Sequence, residues 1–193
     1  MFNERYRLNQ AVLDGWKTQT RRIIPARIIN YADTTCFLTF DKKPLSEEQK
    51  DYKCYETCDG DFVDIRDYAA YRAGEEVAVA QSYSVCNRAV CLTDSPGWNN
   101  KMFVSAALMP HRIKITNVRV ERLKDITNED CMKEGIIHHH AYGDRDHEDY
   151  GFGDSFWFTT PRKAFAALID KTCGRGTWDS NPWVFVYDFE LIK

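Results

Sequence analysis

No stretch of the chain approaches the roughly 18 consecutive apolar residues that a membrane-spanning helix requires. The opening Met1-Phe2-Asn3-Glu4-Arg5 lacks the apolar segment of a secretory signal. Basic excess is missing too: 26 Lys and Arg stand against 29 Asp and Glu, a formal charge of −3. A protein that coats nucleic acid through bulk charge is thereby disfavoured. The seven cysteines are an odd number, and the one close pair, Cys54 and Cys58, has three residues between. That spacing is neither the CxxC of a zinc ribbon nor a disulfide framework, so free thiols in a cytoplasmic protein are expected. Internal repeats are lacking, and Gly174-Arg175-Gly176 reads as a helix stop, since nothing like GxxxxGK[ST] follows a strand. What the chain does hold is apolar mass: 44% hydrophobic and 13% aromatic residues in 193 positions. That suffices for one domain with a sizeable core and argues against disorder.

The charge is segregated along the chain. Residues 1–30 carry six basic side chains (Arg5, Arg7, Lys17, Arg21, Arg22, Arg27) against Glu4 and Asp14. Residues 101–124 carry another six (Lys101, Arg112, Lys114, Arg119, Arg122, Lys124) against Glu121 alone. Residues 46–67 and 138–154 are acidic instead. Two readings stay open: the basic segments join into one face that attracts a phosphate-bearing ligand, or they are solvated faces that differ in sign by chance.

Periodicity supplies the elements. Arg7 to Leu13 reads as a short helix stopped by Gly15, and Trp16 to Ile24 turns β-like before Pro25. Residues 30–72 read as an insertion with a hairpin turn at Asp59-Gly60. Tyr71 to Ala80 reads as a turn feeding a buried strand. Ile113 and Ile115, then Val118 and Val120, mark a long strand whose phase changes near Asn117, as at a β-bulge. Thr127 followed by Asp130 suits a helix N-cap, with Gly135 as the stop. Residues 137–158, rich in His, Asp, Gly and aromatics, read as an irregular loop. Thr160-Pro161 opens a helix to about Thr172, and Trp183 to Glu190 is the last strand. Strands outnumber helices without alternating regularly, so the fold class expected is α+β: a small mixed β-barrel with flanking helices and an inserted hairpin region.

Three segments carry a more specific signal. The first is Leu13-Asp14-Gly15-Trp16-Lys17-Thr18-Gln19-Thr20-Arg21-Arg22. The second is Ile115 to Thr127, running into Glu129, Asp130, Glu134 and Gly135. The third is Trp178-Asp179-Ser180-Asn181-Pro182-Trp183 through Phe189. Together they resemble the ASCH domain family, a branch of the PUA-like small barrels, in the longer form common in phage and prophage genomes. The resemblance implies a PUA-like barrel with a cleft facing RNA or a modified nucleoside or nucleotide, without a cofactor, a metal or a membrane. A small bacterial member of the family hydrolyses the acetyl amide of N4-acetylcytidine with a Lys, a Thr and a Glu. The motifs place these at Lys17, Thr20 and Glu134, and Arg22 matches a basic position closing the first signature. Other long members have a Trp-Val-Arg-Glu-Thr-like run where this chain has Val79-Ala80-Gln81-Ser82-Tyr83. If that run lines the cleft, Gln81 and Ser82 contact a ligand neutrally or the specificity differs.

Chemistry alone makes a parallel case for the trio. Amide hydrolysis needs a nucleophile or activated water, a proton acceptor, and positive charge near the developing oxyanion. Glu134, at the last turn of its helix, meets the negative end of the dipole, which works against its ionisation and suits a base. Lys17 either offers its ammonium to a substrate carbonyl or, if desolvated, loses its proton and activates the Thr20 hydroxyl. The bland alternative is a solvated strand edge bearing Lys17, Arg21 and Arg22, with Thr20 as an ordinary β-former.

Among the aromatics, Trp16 and Tyr83 flank the basic motif and the strand facing it, and are expected to stack on a base. Arg21 and Arg22 complete the expected ligand contacts. His138-His139-His140 with His147 matches no zinc spacing and is read as a solvated loop. Cys131 is expected to be buried on the Glu134 helix. Three functions remain: hydrolysis of an acyl group on a modified nucleoside, binding without turnover, or docking of a partner protein through residues 30–72 and 137–158.

Overall fold

The computed structural model describes residues 5–28, 54–56, 62–86, 93–140, 148–154 and 156–192. Their elements begin with α1 (Leu8–Leu13), β1 (Gln19–Ile23), β2 (Cys54–Glu56), β3 (Phe62–Asp64), β4 (Glu76–Ala78), α2 (Tyr83–Cys86) and β5 (Arg112–Arg122). Then follow α3 (Asn128–Lys133), β6 (Ile137–His140), β7 (Glu148–Phe152), β8 (Phe156–Phe158), α4 (Pro161–Cys173), α5 (Thr177–Ser180) and β9 (Trp183–Ile192). The fold is α+β: a curled antiparallel half-barrel sheet, ordered β1-β9-β5-β4, flanked by helices. No helix among the described residues is long and apolar enough to cross a membrane.

The centre of the sheet is β9, and its sequence explains why. Trp183, Phe185, Tyr187 and Phe189 project into the concave core with Ile113, Ile115, Val118, Val79 and Ile24. The alternate residues Val184 and Val186 face a second core under α3 and α4, with Leu123, Cys131, Phe165 and Leu168. A strand apolar on both faces has to be covered on both, and here it is.

The phase change in β5 is a bulge: the register with β9 shifts between Ile115 and Asn117. One extra residue lets Val118 stay with Ile113 and Ile115 in the concave core. It also turns Asn117, Arg119 and Glu121 to the helical side, where Asn117 and Arg119 both reach Asp188. The caps form as the sequence predicts: Thr127 Oγ1 accepts from the Asp130 N–H at 3.1 Å, and Thr160 Oγ1 from the Lys163 N–H at 3.2 Å.

Residues 137–158 differ from expectation. Instead of an irregular loop, their described part is an antiparallel sheet, β6-β7-β8. Its aromatic residues drive this: Phe152 is fully buried, stacked on Phe156 and Phe158 and edge-on to Tyr6. Gly151 allows the strands to close, because a Cβ there would stand 2.2 Å from the Phe156 carbonyl oxygen. His138 stacks on Tyr150 and His139 leans on Trp157, so these two histidines are sheet residues. The hairpin read in residues 30–72 has its strands, β2 paired with β3. Its Asp59-Gly60 turn, with Cys58, lies outside the described residues.

Candidate functional site

The site begins where α1 ends. Gly15 adopts φ +79°, and the Trp16 and Lys17 N–H groups both donate back to the Ala11 carbonyl. This tight turn delivers Lys17 onto Gly135 (φ +97°) at the end of α3, where a Cβ would lie 3.5 Å from the lysine stem. The Thr18 N–H donates to the Lys133 carbonyl and ties the two turns together.

Lys17 and Glu134 are both buried, and Nζ donates to Glu134 Oε2 at 2.7 Å. The same ammonium donates to the carbonyls of Gln19 and Glu134, each at 2.7 Å. Burial pulls the Lys17 ammonium below the ordinary lysine value, against the opposing pull of the Glu134 charge. The second carboxylate oxygen of Glu134 accepts from Arg21 Nη1 at 3.1 Å. Two cations thus face a carboxylate for which the sequence offered only a helix end.

Around this pair lies an ionic layer between the sheet and α3. Arg21 donates from Nε and Nη2 to Glu121 Oε1, at 2.9 and 2.6 Å, and from Nη2 to Asp130 at 3.2 Å. Gln19 bridges Arg21, Asp130 and Asp188. Arg119 joins Asp188 at 2.6 Å and Asp130 at 3.1 Å. For Asp130, burial works against the charge, but Arg21 and Arg119 outweigh it and hold the carboxyl below the usual aspartate value. Cys131, fully buried beside this layer, has its thiol pushed up to about 12, chiefly by burial. It is no nucleophile at neutral pH.

A cleft of about 470 Å³ opens at the β1 edge of this layer. Lys17, Thr20, Arg21, Arg22 and Glu134 all line it, joined by Arg5 and Lys101. The opposite wall is apolar, from Leu8 and from Phe165, Leu168 and Ile169 of α4. Among the described residues, five cations and one carboxylate line the cleft. Thr20 and Arg22 lie opposite Tyr187 and Phe185, so they project from the other face of β1 than Gln19 and Arg21. Both faces reach one cleft because, among the described residues, β1 pairs only with β9 and no strand covers its outer edge. The Thr20 hydroxyl forms no hydrogen bond among the described residues.

Four expected ligand contacts lie elsewhere. Trp16 is 60% exposed and borders a separate apolar hollow with Met132, Ile137 and His138. It points away from the cleft because the Gly15 turn sends Trp16 and Lys17 to opposite sides. Gln81, Ser82 and Tyr83 are buried and line no part of the cleft. The strand before them ends at Ala78, and they pack under the segment 95–109 instead. The Tyr83 hydroxyl accepts from the Ser105 N–H at 2.8 Å, the Tyr83 ring presses on Gly97, and the Gln81 N–H meets Met109 Sδ.

No family model matches the chain, and neither the curated proteins nor the solved structures give a match.

The sequence reading missed Gln19, Arg119, Glu121, Asp130 and Asp188 as members of the site. A signal was present. Gln19 and Arg21 alternate in β1, and Arg119 and Glu121 alternate in β5, so each pair marks one polar strand face beside an apolar one. Among the described residues, no three His, Cys, Asp or Glu side chains gather as metal ligands.

Proposed function

We propose that the cleft at the β1 edge binds the nucleotide unit of an RNA, or a modified nucleoside, as the ASCH-like signature implies. The observation that carries this reading is the meeting of Lys17, Thr20 and Glu134 in one concavity with a net positive lining. At about 470 Å³ it falls within the range of small-molecule sites. Phe165 and Leu168 offer an apolar wall to a base, and Arg5, Arg22 and Lys101 supply positive charge for a phosphate. Binding ranks ahead of turnover because the Lys17 ammonium already spends three donors on Gln19 and Glu134. A substrate oxyanion would have to displace one of them.

Hydrolysis of an acyl amide on the base is the second reading. The Thr20 hydroxyl favours it, since it stands in the same cleft as the Lys17–Glu134 pair without a hydrogen bond of its own among the described residues. Docking of a protein through residues 30–72 and 137–158 is the remaining reading: the described strands β6-β7-β8 turn Tyr150, Phe152, Phe156 and Phe158 onto the α4 core and leave Trp157 exposed.

Titration of the protein with the four ribonucleoside 5′-monophosphates and with N4-acetylcytidine, at several salt concentrations, tests the reading. At least one nucleotide should bind, and affinity should fall with salt, since cations meet the phosphate. Thr20→Val, which removes a hydroxyl without a hydrogen bond among the described residues, should weaken binding about tenfold without changing thermal stability. Absence of binding to all five compounds overturns the proposal. Loss of the acetyl group from N4-acetylcytidine, abolished in Thr20→Val, would promote the second reading.

A further inference from the structure

The register of β1 decides which of its backbone groups face the cleft. The Ile24 N–H donates to the Trp183 carbonyl, and the Phe189 N–H to the Thr18 carbonyl. In an antiparallel pair the bonded positions alternate, so Thr18, Thr20, Arg22 and Ile24 turn their main-chain groups toward β9. Gln19, Arg21 and Ile23 turn theirs to the open edge. The Gln19 carbonyl is already taken by Lys17 Nζ, and Ile23 lies outside the cleft. Arg21 is left. Its side chain is 1% exposed while the residue as a whole is 5% exposed, so what Arg21 shows to the cleft is main chain. Among the described residues, no partner reaches its N–H or its carbonyl.

Resting on the nucleotide-binding reading, we propose that the main-chain N–H and carbonyl of Arg21 read the hydrogen-bonding edge of the bound nucleobase. The pair offers one donor beside one acceptor. Every standard base carries the complement, a ring nitrogen next to an exocyclic group, one donating and one accepting. A single pair suits a planar heterocycle, whereas strand addition by a peptide requires successive pairs along the edge. Lys17 blocks that continuation at Gln19. The buried Arg21 side chain, held by Glu121, Asp130 and Glu134, fixes the strand, so the pair needs no reorganisation on binding. A base held there would lie between the apolar wall of α4 and the Thr20 hydroxyl, with its phosphate toward Arg22.

The test is backbone amide exchange at Arg21, followed by NMR in the intact chain with and without cytidine or uridine 5′-monophosphate. The 3-methyl derivatives, whose ring nitrogen is blocked, and ribose 5-phosphate, which has no base, serve as probes. Saturation with at least one of the two nucleotides should slow Arg21 exchange by about tenfold or more, and its 3-methyl derivative should bind about tenfold more weakly. Ribose 5-phosphate should leave Arg21 exchange unchanged. Nucleotide binding that shifts Thr20 and Arg22 without protecting the Arg21 amide overturns this inference and leaves the nucleotide-binding reading standing. Equal affinity for the 3-methyl derivatives does the same. Failure of every nucleotide to bind removes the reading itself and this inference with it. Joint protection of Arg21 and Ile23 by an extended peptide, with none by nucleotides, would assign the edge to strand addition and overturn both.

Discussion

Lys17 and Arg21 on one side, and Thr20 and Arg22 on the other, come from six consecutive residues and line one cleft, yet their surroundings are opposite. Lys17 and Arg21 are buried and held by carboxylates on α3 and β5. Arg22 is exposed and Thr20 half-buried, on the face of β1 away from the ionic layer. Strand alternation separates Arg21 from Thr20 and Arg22, and the Gly15 turn carries Lys17 to the side of Arg21. The inward residues build the wall, and the outward ones meet whatever enters. A motif of like-looking basic residues is thus split into a structural half and a ligand-facing half.

The largest effect should come from the structural half. Arg21→Ala leaves Glu121, Asp130 and Glu134 without their shared cation in a buried layer. Removing one partner of such a network costs about 3–5 kcal/mol. Urea denaturation should show that loss, and a variant as stable as the parent would refute the structural assignment. An intermediate effect is expected from acid. Asp130 is held below its ordinary value of 3.8, so its contribution is complete above that value and is lost as pH falls through the lower folded value. Stability measured between pH 6 and pH 2 should therefore fall less steeply in Asp130→Asn than in the parent below about pH 4. An unchanged slope would mean that Arg21 and Arg119 do not hold that carboxylate in solution. The smallest effect on stability belongs to the ligand-facing half. Arg22→Ala should alter stability by less than about 0.5 kcal/mol. It should also lower the salt dependence of nucleotide binding by roughly one charge. A salt dependence that stays the same would remove Arg22 from the phosphate.

The sequence conveyed the local devices well. The Gly15 turn, the Thr127 and Thr160 caps, the bulge near Asn117 and the apolar run of β9 each depend on a few adjacent residues, and each formed as read. The Lys17–Glu134 contact spans 117 positions and was reached only through a family resemblance. Asp130 and Asp188 stayed hidden because nothing local distinguishes a carboxylate bound for a buried layer from one bound for water. Only the long-range pairing of β1, β9 and β5 brings their partners near. The β6-β7-β8 sheet stayed hidden for another reason. Its Gly, Asp and His residues look like loop composition, while the alternation that matters, Tyr150 with Phe152 and Phe156 with Phe158, is interrupted by a turn.

The bulge at Asn117 makes the way β5 pairs, as much as its residue types, a condition of this site. Were β5 to keep all its residues but pair with β9 without the bulge, Val118 and Val120 would swing toward the acids of α3, and Arg119 and Glu121 into the aromatic interior beside Phe185 and Tyr187. With two residues between Ile115 and Val118, the bulge is what keeps the aliphatic and the ionic side chains on their own faces.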